Sequence, residues 1–244
     1  MGNNPSVARD TLLDFFHDLG TIEGEFLVYD DGFRTHGFTY RQVAGAANGF
    51  AARLADAGLV KGDAVLFFSE NRPEWIVGFW GCLLAGVVAV PIDYRSPPDF
   101  LVRVAGIVRA KVVLVGQDVP SLPAVPGASG MTVWPLHEID WTPRVAPAVA
   151  HARDDVAEII FTSGATAEPK GVVITHRNIL ANVVPVEREI VKYRKYARPF
   201  QPLRFLNLLP LSHMFGQAMA TFIPPTLGGV VVFMRGYTPG DIIG

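Results

Sequence analysis

From Trp75 to Ile92 the chain carries no charged side chain over eighteen residues, and few folds accommodate such a segment. A run of that length is near the minimum for a helix crossing a bilayer. Local signals divide it differently. Asn71 stands where a side chain can cap a helix opening at Arg72-Pro73-Glu74, with proline in the first turn, where a missing N–H costs nothing. Gly86 can stop that helix. Val87 to Val90 then reads as a strand closed by Pro91. A strand without polar alternation is buried on both faces. The run therefore predicts one buried helix and one buried strand, and no transmembrane span.

The rest of the chain repeats this alternation. Thr39 and Gln42 form a capping box, and Val43, Ala47, Phe50 and Leu54 recur at helical spacing until Gly58. Ala64 to Phe68 reads as a strand, Pro98 to Arg109 as a helix and Lys111 to Val115 as a strand. This β-α-β-α-β order implies an α/β fold, with mostly parallel sheets flanked by helices. Six prolines and weak periodicity mark 117–150 as a long connection within one architectural unit. It separates a first α/β part, 1–116, from a second, 151–244. In the second part a helix is expected from about His176, a strand near Phe205 to Leu209, a helix near His213 to Phe222, and a strand at Val230 to Met234.

Composition narrows the function classes. With 50% hydrophobic and 18% charged residues in 244, the chain can build a substantial core. A formal net charge of −2 gives no general attraction for nucleic acid. Arg188, Lys192, Arg194, Lys195, Arg198 and Arg204 cluster with Tyr193, Tyr196 and Phe200, and read as a solvated helix face. Peripheral membrane contact and oligomeric state stay open. The lone cysteine, Cys82, lies in an apolar run and reads as a buried thiol in a reducing compartment, the cytoplasm. Arg9, Asp10, Asp14 and Asp18 interrupt the stretch in which a signal peptide would be apolar.

Chemistry concentrates in Thr162-Ser163-Gly164-Ala165-Thr166-Ala167-Glu168-Pro169-Lys170-Gly171. Hydroxyls and backbone N–H groups donate to phosphate oxygens, glycine admits close approach, and lysine neutralises charge. Ile159-Ile160-Phe161 leads in and Val172-Val173-Ile174 leads out, so the loop reads as a turn between two strands. A Walker A loop does not fit. Pro169 takes the place of its second glycine, Gly171 takes the place of its magnesium-binding hydroxyl, and a strand rather than a helix follows. A solvated Gly/Ser/Thr surface loop is the plain alternative.

The ten residues resemble the phosphate-binding signature of the AMP-forming adenylating enzymes: acyl-CoA synthetases, luciferases and peptide-synthetase adenylation domains. Phe38-Thr39-Tyr40-Arg41-Gln42-Val43, Leu83 to Asp93, Thr175-His176-Arg177-Asn178 and Leu209-Pro210-Leu211-Ser212-His213-Met214-Phe215-Gly216 resemble further motifs of that family, in the same order. Ala165 stands where the family usually has Ser or Thr, and Ala167 where it usually has Gly.

The resemblance implies an incomplete N-terminal domain, and a chain cut before the acidic magnesium ligand, the ribose-binding aspartate and the small C-terminal domain. It implies ATP with Mg2+ as cofactor, with the metal ligand outside this fragment, and CoA as co-substrate; the partners are small molecules. Thr162, Ser163, Gly164, Ala165, Thr166, Lys170 and Gly171 would hold the ATP phosphates. Lys170, Thr166 and His213 would act in catalysis, and His213, Phe215 and Gly216 would line the acyl pocket, although a core role is an equal reading for His213 and Phe215. Capping or packing is the expected role of His176 and Asn178. Leu209 to Gly216 holds no acid to pair with an amino-acid ammonium, and Ser212-His213 beside Phe215 looks most like fatty-acid-activating members. A noncatalytic nucleotide-binding or interaction module of the same fold is the alternative. The segment 238–243 reads as a helix start cut short, and the fragment alone is expected to make no acyl-adenylate.

Overall fold

The computed structural model describes residues 9–120, 131–162 and 168–235. The helix start expected at 238–243, part of the 117–150 connection and the centre of the phosphate turn lie outside the described residues.

Two sheets share one core. The first has the order β2-β1-β10-β9, built from β1 (Glu25–Asp30), β2 (Thr35–Thr39), β9 (Arg204–Leu206) and β10 (Val230–Met234). The second has the order β6-β5-β3-β4-β7-β8, built from β3 (Ala64–Phe68), β4 (Val88–Ile92), β5 (Val112–Val115), β6 (Thr132–Pro135), β7 (Val156–Thr162) and β8 (Lys170–Thr175). Pairing is parallel except for β1 with β2 and β7 with β8. Strands from the 151–244 segment enter both sheets: β7 lies beside β4, and β10 beside β1.

Helices α1 (Leu13–Leu19), α2 (Tyr40–Asp56) and α3 (Pro73–Ala85) contribute to the core shared by the two sheets. That core joins Leu27 and Phe233 of the smaller sheet to Val65, Phe67 and Leu114 of the larger one. Every residue of α3 is buried, including Trp75, Phe79 and Trp80. The outer face of the larger sheet carries Leu66, Phe68, Val90 and Val113, covered by Phe100, Leu101 and Val104 of α4 (Pro98–Val108). Because both faces are covered, β3 and β4 are apolar throughout, as the sequence suggests.

Gly86 ends α3 in the left-handed conformation, at φ 68°. No helix among the described residues is long and apolar enough to cross a membrane. The capping box at Thr39 and Gln42 is present, and Val43, Ala47, Phe50 and Leu54 are buried.

Some expectations are corrected. Asn71 does not cap α3: Arg72 occupies the cap position without a side-chain capping bond, and the Asn71 amide is engaged elsewhere. Strand β9 stops at Leu206, short of Leu209. The helix expected from His213 to Phe222 is α6 (Met214–Gln217), then a π-helical stretch over Ala218–Phe222, then α7 (Ile223–Thr226). Strand β6 has no counterpart in the sequence reading of the proline-rich connection. It runs parallel to β5 in matched register, Val112 opposite Thr132.

Trp80 is fully buried among Phe16, Phe79 and Phe222, with ring centroids 5.4 to 5.9 Å away. Trp80→Ala should lower unfolding free energy by about 3–5 kcal/mol, read as an earlier urea midpoint at unchanged slope.

Candidate functional site

Parallel pairing sets the site at one edge. Strands β3, β4 and β7 run the same way, with Ala89 of β4 opposite Glu158 of β7. The chain therefore leaves their carboxyl ends together, at Ser69, at Asp93 and at the turn after Thr162. In open α/β sheets that edge is where ligands bind. The carboxyl ends of β1, β9 and β10 come alongside. Arg235, just past β10, holds Asp118 through two bonds of 2.8 and 2.9 Å, and its own N–H donates to the Asp30 carbonyl.

The loop expected to hold phosphates lies between two paired strands. Strands β7 and β8 are antiparallel, with Thr162 opposite Lys170 and Phe161 opposite Gly171. A strand, not a helix, follows Lys170, which separates this loop from a Walker A loop in structure as in sequence. Ser163, Gly164, Ala165, Thr166 and Ala167, and with them the two alanine departures, lie outside the described residues, as does the Thr162 side chain. Lys170 opens β8 with an exposed side chain. A Cβ at Gly171 would fall 2.8 Å from both the Ile159 and Phe161 side chains, so a larger residue here must push those side chains aside.

Helix α5 (His176–Ala197) follows β8 directly. Thr175 and Asn178 cap it reciprocally, and His176 is buried with Nδ1 accepting from the Leu12 N–H at 3.1 Å. Burial pulls the His176 pKa down to about 4, helped by the nearby His151, which fixes the ring neutral. These residues support the hairpin rather than face a ligand. Burial likewise pushes the Cys82 thiol up, leaving it inert.

The Leu209–Gly216 segment is pinned from three sides. Asn71 donates to the Leu209 carbonyl at 2.7 Å and accepts from the Leu211 N–H at 2.9 Å. Asn207 accepts from the Leu209 N–H and donates to the Gly216 carbonyl. Gln217 donates to the Leu211 carbonyl at 3.0 Å. A Cβ at Gly216 would sit 2.1 Å from the Pro210 carbonyl oxygen, so only glycine lets the chain fold back this tightly.

The segment displays His213, whose side chain is 61% exposed with Nε2 3.9 Å from the Asp93 carboxylate, and Phe215, which is 67% exposed. Arg95 chiefly, with His213, holds the Asp93 carboxyl below its usual range. Two motifs far apart in sequence, one ending in Asp93 and one centred on His213, thus meet at the sheet edge.

Sequence reading missed Asn71 in this role, and Asn207, Gln217 and Glu158 altogether. Glu158 did carry a signal, as a lone acid in an apolar strand. It is fully buried and accepts from the Gln217 amide at 2.9 Å. Burial raises its pKa to about 7, with the Gln217 bond opposing the shift.

Comparison with known proteins agrees with this arrangement. The AMP-binding enzyme family profile matches residues 16–243, and the chain belongs to that family. It is 30% identical over 231 residues to the peroxisomal long chain acyl-CoA synthetase 7 of Arabidopsis thaliana, covering 84% of this chain and 31% of that protein. It is also 30% identical over 207 residues to a feruloyl-CoA synthase of an Amycolatopsis species, covering 83% of this chain and 39% of the relative. The chain thus spans between three and four tenths of these two relatives. Among solved structures, the inhibitor-bound N-terminal domain of FACL13 from Mycobacterium tuberculosis superposes with a TM-score of 0.75 at 23% identity, covering 96% of this chain and 59% of that one. The fold is that of the N-terminal domain of adenylate-forming ligases, a family that works through ATP or AMP and acyl-adenylate intermediates.

The stability contributed by neutral Glu158 is whole below the ordinary carboxyl value of 4.5 and is lost as pH rises through about 7. Glu158→Gln removes that titration. Between pH 4.5 and 8 the wild type should lose about 3 kcal/mol relative to the variant, measured by urea unfolding across the range. Titration of His176 is common to both proteins and cancels.

Proposed function

We propose that this chain is the N-terminal part of an ATP-dependent, AMP-forming acyl-CoA synthetase. The complete enzyme joins a carboxylic acid, best a fatty acid, to the thiol of CoA. The observation that carries this reading is the antiparallel hairpin that puts Lys170 at the carboxyl edge of a parallel sheet, the edge that also carries Asp93 beside His213.

The chemistry follows from that placement. A substrate carboxylate oxygen attacks the α-phosphorus of ATP; the bond to the β-phosphate breaks, giving acyl-adenylate and pyrophosphate. Negative charge then gathers on the leaving group. An exposed ammonium at Lys170, with the hydroxyls of Ser163 and Thr166 and the N–H groups of Gly164 and Ala165, suits stabilising it. Thr162 and Gly171 shape the turn. In the second step the CoA thiol attacks the acyl carbonyl and AMP departs. Mg2+ would accompany ATP; among the described residues no cluster of three or more His, Cys, Asp and Glu side chains is placed to hold a metal ion, and no step here runs through it.

Support for the substrate class comes from chemistry. The Leu209–Gly216 segment offers no carboxylate to an amino-acid ammonium, while Phe215 offers exposed apolar surface beside His213. Two relatives act, by their names, on a long-chain acyl group and on a feruloyl group, each paired with CoA. A single buried thiol supports a reducing compartment such as the cytoplasm.

In the complete enzyme, Lys170→Ala should slow carboxylate-dependent pyrophosphate exchange by roughly 10- to 100-fold, the loss expected for a charge-assisted hydrogen bond to phosphate. An unchanged rate would remove phosphate binding by the turn.

A further inference from the structure

Three side chains near the site, Glu158, Gln217 and Thr221, carry buried polarity that the folded chain does not need for packing. The Gln217 Nε2 atom donates both to Glu158 Oε2 on β7 and to the Leu211 carbonyl. Glu158 Oε1, Gln217 Oε1 and Thr221 Oγ1 are buried with no partner among the described residues. Glu158 and Gln217 are each fully buried, and Thr221 nearly so. A half-satisfied polar group in a core costs about 1–3 kcal/mol against a satisfied one. Apolar side chains of the same size would serve packing as well or better. The local backbone departs from the regular helix at the same place: Gln217 ends α6, and the π-helical stretch Ala218–Phe222 that follows contains Thr221. Such widened turns are frequent at functional sites.

What these bonds connect is specific. Glu158 is on the strand that runs into the phosphate turn, in the larger sheet. Gln217 closes the segment that displays His213 and Phe215, which the chain reaches from β9 of the smaller sheet. One amide therefore fixes the distance between the arm carrying Lys170's hairpin and the arm carrying His213.

We propose that Gln217 and Glu158 are positioning residues for adenylate formation: their buried bond holds the His213 segment in register with the phosphate hairpin. Neither side chain touches substrate. The inference rests on the synthetase reading above.

The test uses the complete enzyme and three variants. Gln217→Met and Glu158→Met keep side-chain volume and remove the bond. Glu158→Gln keeps an oxygen able to accept from the Gln217 amide. The first two should lower kcat for carboxylate-dependent pyrophosphate exchange roughly tenfold, with KM for ATP changed less than about twofold. Glu158→Gln should recover at least half of the rate that Glu158→Met loses. Hydrogen exchange followed by mass spectrometry gives a readout independent of turnover: in Gln217→Met, amides of 209–217 should exchange faster while those of β3 and β5 stay protected.

Unchanged kcat in both methionine variants overturns the proposal. So does an equal loss in Glu158→Gln, or faster exchange throughout the molecule, which would mark the pair as ordinary core. A wild-type enzyme without carboxylate-dependent exchange overturns the synthetase reading instead, and the positioning role falls with it.

Discussion

Burial of α3 on all sides is the constraint on which the rest of the structure depends. Its tryptophans and phenylalanines cannot face water, so two sheets are needed to cover them, with α1 and α2 contributing to the same core. Once both sheets are in place, parallel pairing in each brings several strand ends to a common seam. The seam is held by interactions between chain segments remote in sequence: Arg235 with Asp118, Asn71 with the Leu209–Leu211 backbone, and Gln217 with Glu158. The site is thus a by-product of how one apolar helix is hidden.

Much of this was legible because local and global preferences agree. The uncharged run from Trp75 split at Gly86 into a helix and a strand, although β4 runs on through Pro91 to Ile92 instead of closing before the proline, and β3 and β10 appeared at the residues expected. Hydroxyls, glycine and lysine between two β-branched runs announced a strand-turn-strand, and the hairpin register agrees. Where the reading failed, long-range partners decided. Asn71 has the chemistry of a helix cap, but two backbone groups of a segment some 140 residues away claimed its amide. Strand β6 is short and half-exposed, so it lacks the apolar periodicity that would mark it, and only the β5 edge makes it a strand. Gln217 carries no signal in sequence, because its role is defined by what lies opposite.

The two buried ionisable groups near the hairpin pull in opposite directions. Neutral His176 favours the folded state at higher pH and loses ground as pH falls through its ordinary value of 6.5 toward about 4. Neutral Glu158 does the reverse. Both prefer the uncharged form because each is enclosed, and both sit on elements that flank the turn: one precedes it in β7, the other follows it at the start of α5. Around the hairpin, then, these two buried groups favour their neutral forms, while Lys170 and Arg95 are exposed to solvent and Asp93 is half-buried.

The seam between the sheets has a thermodynamic corollary. Arg235 and Asp118 join the sheets where both are open to solvent, and surface ion pairs contribute little. On the proposed reading, a nucleotide seated there would touch residues carried by both sheets and bind only while they are together. By mass action it would then clamp the halves, and the saturated protein would resist heat and protease as one cooperative body.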